Sequence, residues 1–323
     1  MANQNGMATD RESGQKILVI GDIILEKYII GQATRLCPEV PIPLLEPDET
    51  NCCLGGAANV AANIKSIGGR VTLAGVVGKD EEGEEIRKIL KQKDIPAILG
   101  VDGSRPTTVK QWVGTREQFV VRLDRELARD IPSGIFHDIL RLVPLLTDDN
   151  GPVIVADYGK GVVTEELMAA VREICSPKEI PVLVRPGGMN FSKYKGADIL
   201  QPDSFTLEAL WGKRIQNKED LGKAAETVFS VTGCGACVVT WESNGAVLLR
   251  RPGEWVHYPC YTGQDAGCLS GTGDVFLAGL AMGISMGLPL GTACGMANKL
   301  ASSVAGKAGT LVAEADAWNK IVQ

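Results

Sequence analysis

The sequence predicts an α/β fold: a doubly wound, mostly parallel sheet carrying a small antiparallel β lid. Three observations carry that expectation. Short apolar runs of buried-strand type alternate with helical stretches over most of the chain, the pattern of strands joined by crossover helices. Two stretches, 24–46 and 107–124, break this rhythm by running extended with no helix between, and they are read as the lid. Glycine turns at Gly55-Gly56 and at Gly271 to Gly273 each feed a helix of small or apolar residues.

In chain order, residues 1–14 are polar without an apolar core and are expected to be a disordered tail rather than a signal peptide. A single domain is assigned to 15–323, because a chain of this length buries one large core. Strand-like runs fall at 16–20, 71–76, 153–156, 182–184, 199–200 and 236–240, and helical ones at 57–67, 81–91, 134–146, 165–174 and 218–231. The apolar stretch 275–287 reads as a further helix. Right-handed crossovers then put the loops after the strands along one sheet edge, where ligands bind. The sequence contains no internal repeat, low-complexity tract or interdomain linker.

A net charge of -6 with no basic cluster argues against a nucleic-acid partner. No run of about 18 apolar residues free of charges and turn formers occurs, so no membrane span is expected. Nine cysteines without a secretory signal point to reduced thiols in a cytoplasmic protein. Cys234-Gly235-Ala236-Cys237 has metal-ligand spacing, but it leads into a strand and no second pair answers it; core packing is the favoured reading, as for Cys52-Cys53. With only His137 and His257, histidine triads and His-rich metal sites are not expected.

The chemistry concentrates in Ser270-Gly271-Thr272-Gly273-Asp274, a glycine turn entering a helix with a carboxylate in its first turn. Free backbone N–H groups at a helix start bind phosphate oxygens, and Asp274 is placed to take a proton from a hydroxyl. The same pattern also occurs in ordinary turns, where the carboxylate complements the helix dipole. Near the N-terminus, the first strand ends in Gly21-Asp22, and Gly55-Gly56 with Asn59 opens a small-residue helix, offering short rigid groups for sugar hydroxyls. Alternatively Asp22 caps a turn and the glycines only allow close packing.

These features together resemble the ribokinase-like (PfkB-type) carbohydrate kinases, most closely their heptose-7-phosphate kinase branch, whether free-standing or as half of a bifunctional enzyme. The resemblance covers 15–312. Its marks include Arg35, Pro38 to Pro43, Arg105 to Lys110, and Ala305 to Thr310. Asp157-Tyr158-Gly159-Lys160-Gly161 and Arg122-Leu123-Asp124-Arg125-Glu126 point to the heptose branch rather than to ribokinase or fructokinase.

The resemblance implies ATP and Mg2+ as cofactors, and a lid that pairs with its twin in a homodimer. It also implies transfer of the γ-phosphoryl group to the anomeric hydroxyl of a heptose 7-phosphate, giving the 1,7-bisphosphate of the lipopolysaccharide precursor pathway. Asp274 would be the base, with Gly271, Thr272 and Gly273 as the anion cradle. Asp22, Gly55, Gly56 and Asn59 would meet the sugar. Arg105 and Lys160 would hold the phosphate already on the acceptor, since a dianion needs neutralising, although both could be plain surface charges. Ser270, Asn298 and Lys307 would flank the nucleotide. Arg122, Asp124 and Arg125 fit either sugar contacts or an interfacial charge ladder. No nucleotidyltransferase half is expected, because the sequence ends soon after the match.

The departures from the family pattern cluster on the nucleotide side. Arg185-Pro186-Gly187 replaces an Asp-Pro-Lys, and Asp203-Ser204-Phe205-Thr206 replaces an Asn-x-x-Glu. Cys268 stands for a leading aspartate before the glycine turn, and Thr240-Trp241-Glu242 lacks a loop glycine. One reading keeps an active kinase, with Asp203 and Glu208 as metal ligands and Arg185 neutralising phosphate. The other is a degenerate kinase fold that binds a sugar phosphate or a protein partner with little transfer.

Overall fold

The structure, a computed structural model, describes residues 15–147, 151–251, 254–261, 271–306 and 309–323. The expected tail, Ser270 and Lys307 lie outside them. Strand β1 (Ile17–Leu36) organises the molecule, because it belongs to two sheets in succession. From Ile17 to Leu25 every residue is buried, as expected for a central strand covered on both faces. This part pairs in parallel with β3 (Val71–Gly78) and β7 (Val153–Ala156). At Gly21 a Cβ would lie 2.0 Å from the Ala156 carbonyl oxygen, so a side chain there would force β1 and β7 apart.

Beyond Asp22 the strand leaves the main sheet for the lid. There it pairs antiparallel with β2 (Pro43–Gly56) and parallel with β5 (Thr108–Gly114), and β6 (Phe119–Arg125) closes antiparallel on β5. The expectation of a wholly antiparallel lid is therefore corrected at its central pair. β5 starts from the same sheet edge as the outgoing half of β1, so the two run in one direction. β2 continues past Glu46 to Gly56 and delivers Gly55 and Gly56 to the start of helix α1 (Ala57–Ser66).

In the main sheet the order is β12-β11-β10-β9-β8-β7-β1-β3-β4. The further strands are β4 (Ala97–Asp102), β8 (Val182–Arg185), β9 (Ile199–Leu200), β10 (Ala236–Thr240), β11 (Ala246–Arg251) and β12 (Glu254–Tyr258). All are parallel from β4 to β10, and β11 and β12 add an antiparallel edge. One face carries α1, α2 (Glu81–Gln92), α7 (Thr272–Ser285), α8 (Leu290–Val304) and α9 (Ala315–Val322). The other carries α3 (Ser133–Leu146), α4 (Glu165–Cys175), α5 (Ser204–Trp211) and α6 (Lys218–Thr232). Cys234 and Cys237 are buried in this second core, and burial pushes both thiols up.

The chain winds away from β1 in one direction through β3 and β4, and from β7 in the other through β8 to β10. That reversal opens a crevice at the carboxyl ends of the strands. Asp157, Arg185 and Gln201 lie along it, at or just beyond the ends of β7, β8 and β9, beside Asp22, where β1 leaves the main sheet. The lid is tied down at both ends. Lys27 pairs with Glu82 at 2.8 Å, and Arg125 reaches Glu82 and Asp80. On the lid's other flank, the Tyr28 hydroxyl accepts from the Thr310 N–H at 2.8 Å. Among the described residues no helix is long and apolar enough to cross a membrane.

Candidate active site

Helix α7 begins at Gly271, whose φ of 115° is a left-handed value suited to glycine. Among the described residues no side chain caps this helix. Asp274, in the first turn and 6 % exposed, points its carboxylate into a ring of donors. Oδ1 accepts from the Tyr158 hydroxyl at 2.5 Å, and Oδ2 accepts from Asn59 Nδ2 at 2.9 Å. Burial, followed by the Asp274 carboxylate, pushes the Tyr158 phenol well above its ordinary range, so it stays protonated and donates. Asn59 is itself fixed: Asn63, one turn on, donates to the Asn59 carbonyl at 2.9 Å while accepting from the Ala313 N–H at 2.8 Å.

Tyr158 is held in turn by Asp22. This carboxylate is 1 % exposed and accepts from the N–H groups of Tyr158 (2.8 Å), Lys160 (3.0 Å) and Val162 (3.0 Å). Burial, then the charge of Asp157, raises it to about 6 against the pull of those three amides. Asp22 thus stands one step behind the site, shaping the 157–162 loop that presents Tyr158. Asp157 anchors the far side of that loop through Tyr194 at 2.7 Å and through Lys193.

Arg185, at the end of β8, lies between two carboxylates. Its Nε is 3.7 Å from Asp274 Oδ1 and its Nη2 is 3.8 Å from Asp203 Oδ2. Nη1 is 3.4 Å from Gln201 Oε1, and the guanidinium stands 5.4 Å from the centre of the Tyr158 ring. Burial opposes its charge, but a hydrogen bond with Tyr158 and the charges of Asp274 and Asp203 outweigh that and hold the guanidinium protonated. It abuts the first turn of α7, since a Cβ on Gly273 would come within 2.5 Å of Nη1.

Other residues singled out in the sequence are engaged elsewhere. Arg105 is an internal clamp rather than a free cation: it pairs with Asp102 at 2.9 Å, donates to the Lys160 carbonyl at 2.9 Å and reaches the Arg129 carbonyl. Lys160 pairs with Glu126 at 2.8 Å. Gly55 and Gly56 are buried at the lid hinge, where a Cβ on Gly56 would lie 2.4 Å from the Asp22 carbonyl oxygen. Asn298 donates to the Pro259 carbonyl at 2.8 Å and is 3 % exposed.

The two carboxylates expected to share a metal do not come together. Asp203 caps α5 by accepting from the Thr206 N–H at 2.7 Å, and its other oxygen faces Arg185. Glu208 lies five residues further along, or about 7.5 Å of helix, and accepts from the Ile215 N–H at 2.8 Å. This donor set does not fit a protein-held magnesium. A divalent cation needs several oxygen ligands, and here it would meet a guanidinium instead.

Tyr158 carries a contact that sequence reasoning did not assign, although it sat inside a quoted string; only its tertiary position reveals the partner. Glu26 and Trp112, from the inner face of the lid, are a second case. Trp112 Nε1 donates to Glu26 Oε2 at 2.8 Å, and burial raises the Glu26 carboxyl while the charge of Asp274 adds to the effect.

Comparison with known proteins accords with this geometry. The pfkB family carbohydrate kinase profile matches residues 15–316. The Bifunctional protein HldE of Trichlorobacter lovleyi is 35 % identical over 274 residues, covering 84 % of this chain and 56 % of that protein. HldE of Geobacter sulfurreducens is 36 % identical over 267 residues, with 82 % and 54 % covered. The chain therefore spans about half the length of these curated relatives. Among solved structures, ribokinase from Giardia lamblia superposes with a TM-score of 0.76 at 17 % identity, covering 96 % of this chain and 99 % of that one. Phosphofructokinase-2 from Escherichia coli in complex with potassium gives 0.75 at 17 % identity, with 95 % and 97 % covered.

Proposed function

Because the chain belongs to the pfkB family of carbohydrate kinases, we propose that it phosphorylates the anomeric hydroxyl of a heptose 7-phosphate, with ATP as donor and Asp274 as base. The observation that carries this reading is the Asp274 carboxylate, buried at the start of α7 and oriented by Tyr158 and Asn59. A kinase needs positioning and charge stabilisation more than covalent chemistry. Asp274 takes the proton of the acceptor hydroxyl as that oxygen is phosphorylated, and Asn59 and Tyr158 keep the carboxylate aimed. The backbone at Gly271 to Gly273 is the cradle for the donor's phosphates. Any magnesium would enter with the nucleotide and supply charge neutralisation there, rather than being held by Asp203 and Glu208.

The heptose assignment rests on the Asp157 to Gly161 and Arg122 to Glu126 strings. Lys160 is the cation proposed for the acceptor's phosphate and would have to exchange its Glu126 partner for it, whereas Arg105 is buried and internally engaged. One observation favours the second reading, a sugar-phosphate binder with little transfer: the base is already paired with a guanidinium. A calorimetric and turnover screen with ATP and sugars, with and without phosphate, separates the two. Turnover selects the kinase, and binding without turnover selects the degenerate protein.

The lid is proposed to join two copies. Val121 and Leu123 stand 44 % and 54 % exposed on β6, whose outer edge has no strand partner among the described residues. An apolar edge of this kind is ordinarily covered. Sedimentation should report a dimer for the wild type and a monomer for Leu123→Lys. A wild-type monomer, or a dimer that survives the substitution, would count against the lid as the interface.

A further inference from the structure

The contacts of Arg185 differ from those of a settled ion pair. Its side chain is 18 % exposed, yet the carboxylate and amide oxygens around it lie at 3.4, 3.7 and 3.8 Å. A charge-assisted N–H···O bond of full strength is about 2.7 to 2.9 Å long. The guanidinium therefore has no short bond to either carboxylate, and it also hydrogen-bonds the Tyr158 side chain. It rests against the backbone of Gly273, in the turn where α7 begins. Five N–H donors in a planar fork match the oxygens of a phosphoryl group, and among the described residues no other side chain in this ring offers a permanent positive charge.

The neighbouring carboxylates lead to the same conclusion. Asp203 has one oxygen on the Thr206 N–H and the other toward Arg185, and Glu208 is turned away to Ile215. A divalent ion placed beside the guanidinium would be repelled by it.

We propose that Arg185 is the fixed cation of this site: it holds Asp203 and Asp274 as loose counter-ions and grips phosphoryl oxygens itself, so that a polyphosphate binds without a protein-held divalent metal. On binding, the guanidinium moves from long contacts with the two carboxylates to short ones with phosphate, and Asp274 is released to accept a proton. Base and donor site are thereby linked, because Asp274 is freed only when phosphate is present. The inference rests on the kinase reading only in taking the donor to be a polyphosphate.

The test uses the full chain and inorganic tripolyphosphate, by titration calorimetry in EDTA and again with magnesium. The wild type should bind tripolyphosphate in EDTA at least as tightly as with magnesium, since the metal-free anion offers the guanidinium more charge. Arg185→Gln should weaken binding in EDTA by about 10- to 150-fold, the range for losing hydrogen bonds to a charged group. If Arg185→Gln fails to fold by circular dichroism, Arg185→Lys serves in its place, keeping the charge but not the fork and losing affinity to a smaller extent. Binding that requires magnesium in the wild type would overturn the proposal, as would affinity unchanged in the folded variant. Failure of every sugar to turn over, with Arg185-dependent tripolyphosphate binding intact, would remove the kinase reading and leave this inference standing.

Discussion

Asp274→Asn should lower turnover by about 100- to 10,000-fold, the range for losing a positioned general base, while sugar affinity stays nearly unchanged. The amide keeps the shape of the carboxylate and still accepts from Tyr158, at the cost of turning its NH2 group toward the Asn59 donor. What disappears is the acceptance of a proton, an interaction made chiefly in the transition state. Steady-state kinetics beside calorimetry decide the matter. An equal loss of sugar affinity would mean that Asp274 holds the ground-state ligand or the fold instead.

The second large effect is on stability. Asp22→Ala removes the acceptor of three backbone N–H groups in the 157–162 loop. Each donor left buried without a partner costs about 1 to 3 kcal/mol, so thermal unfolding should fall by on the order of 10 °C. Turnover should fall with it, because Tyr158 loses its support under Asp274. A pH signature accompanies the change. Burial raises Asp22 from its ordinary 3.8 to about 6 in the folded protein. Protonation of this group therefore favours the fold below its unfolded value, and that contribution is lost as pH rises through about 6. Asp22→Asn, which cannot ionise, should remove this slope between about pH 4 and 6. An unchanged melting temperature in Asp22→Ala would show that the loop stands without its carboxylate.

Much of the fold was legible because its strands are buried on both faces. The runs at 153–156 and 236–239 are uniformly apolar in the sequence and lie in inner strands of the sheet in the structure. β12 escaped notice because it is an edge strand with Trp255 and Val256 half in solvent, so no continuous apolar run marks it. The parallel pairing of β1 with β5 was not legible either, since alternation along a strand does not say which way its neighbour runs.

The site divides along similar lines. Asp274 and Asn59 stood out because glycine turns at helix starts leave a mark in the sequence. Tyr158 and Arg185 depend on loops brought together from distant parts of the chain, and residue type alone does not name a partner. Arg105 illustrates the same limit in reverse. As a residue type it suited an anion, but Asp102 three positions earlier and two carbonyls had already engaged it.

Asp274 is proposed to serve the phosphorylation of a heptose 7-phosphate. The most direct test is kcat/KM for that sugar beside ribose and fructose, with ATP as the common donor. A pocket built to hydrogen-bond a substrate's own groups rejects analogues that lack them, by about 10,000- to 100,000-fold at its strongest. A clear preference for the heptose 7-phosphate is expected, with turnover of all three sugars lost in Asp274→Asn; faster turnover of ribose or fructose would contradict the heptose assignment.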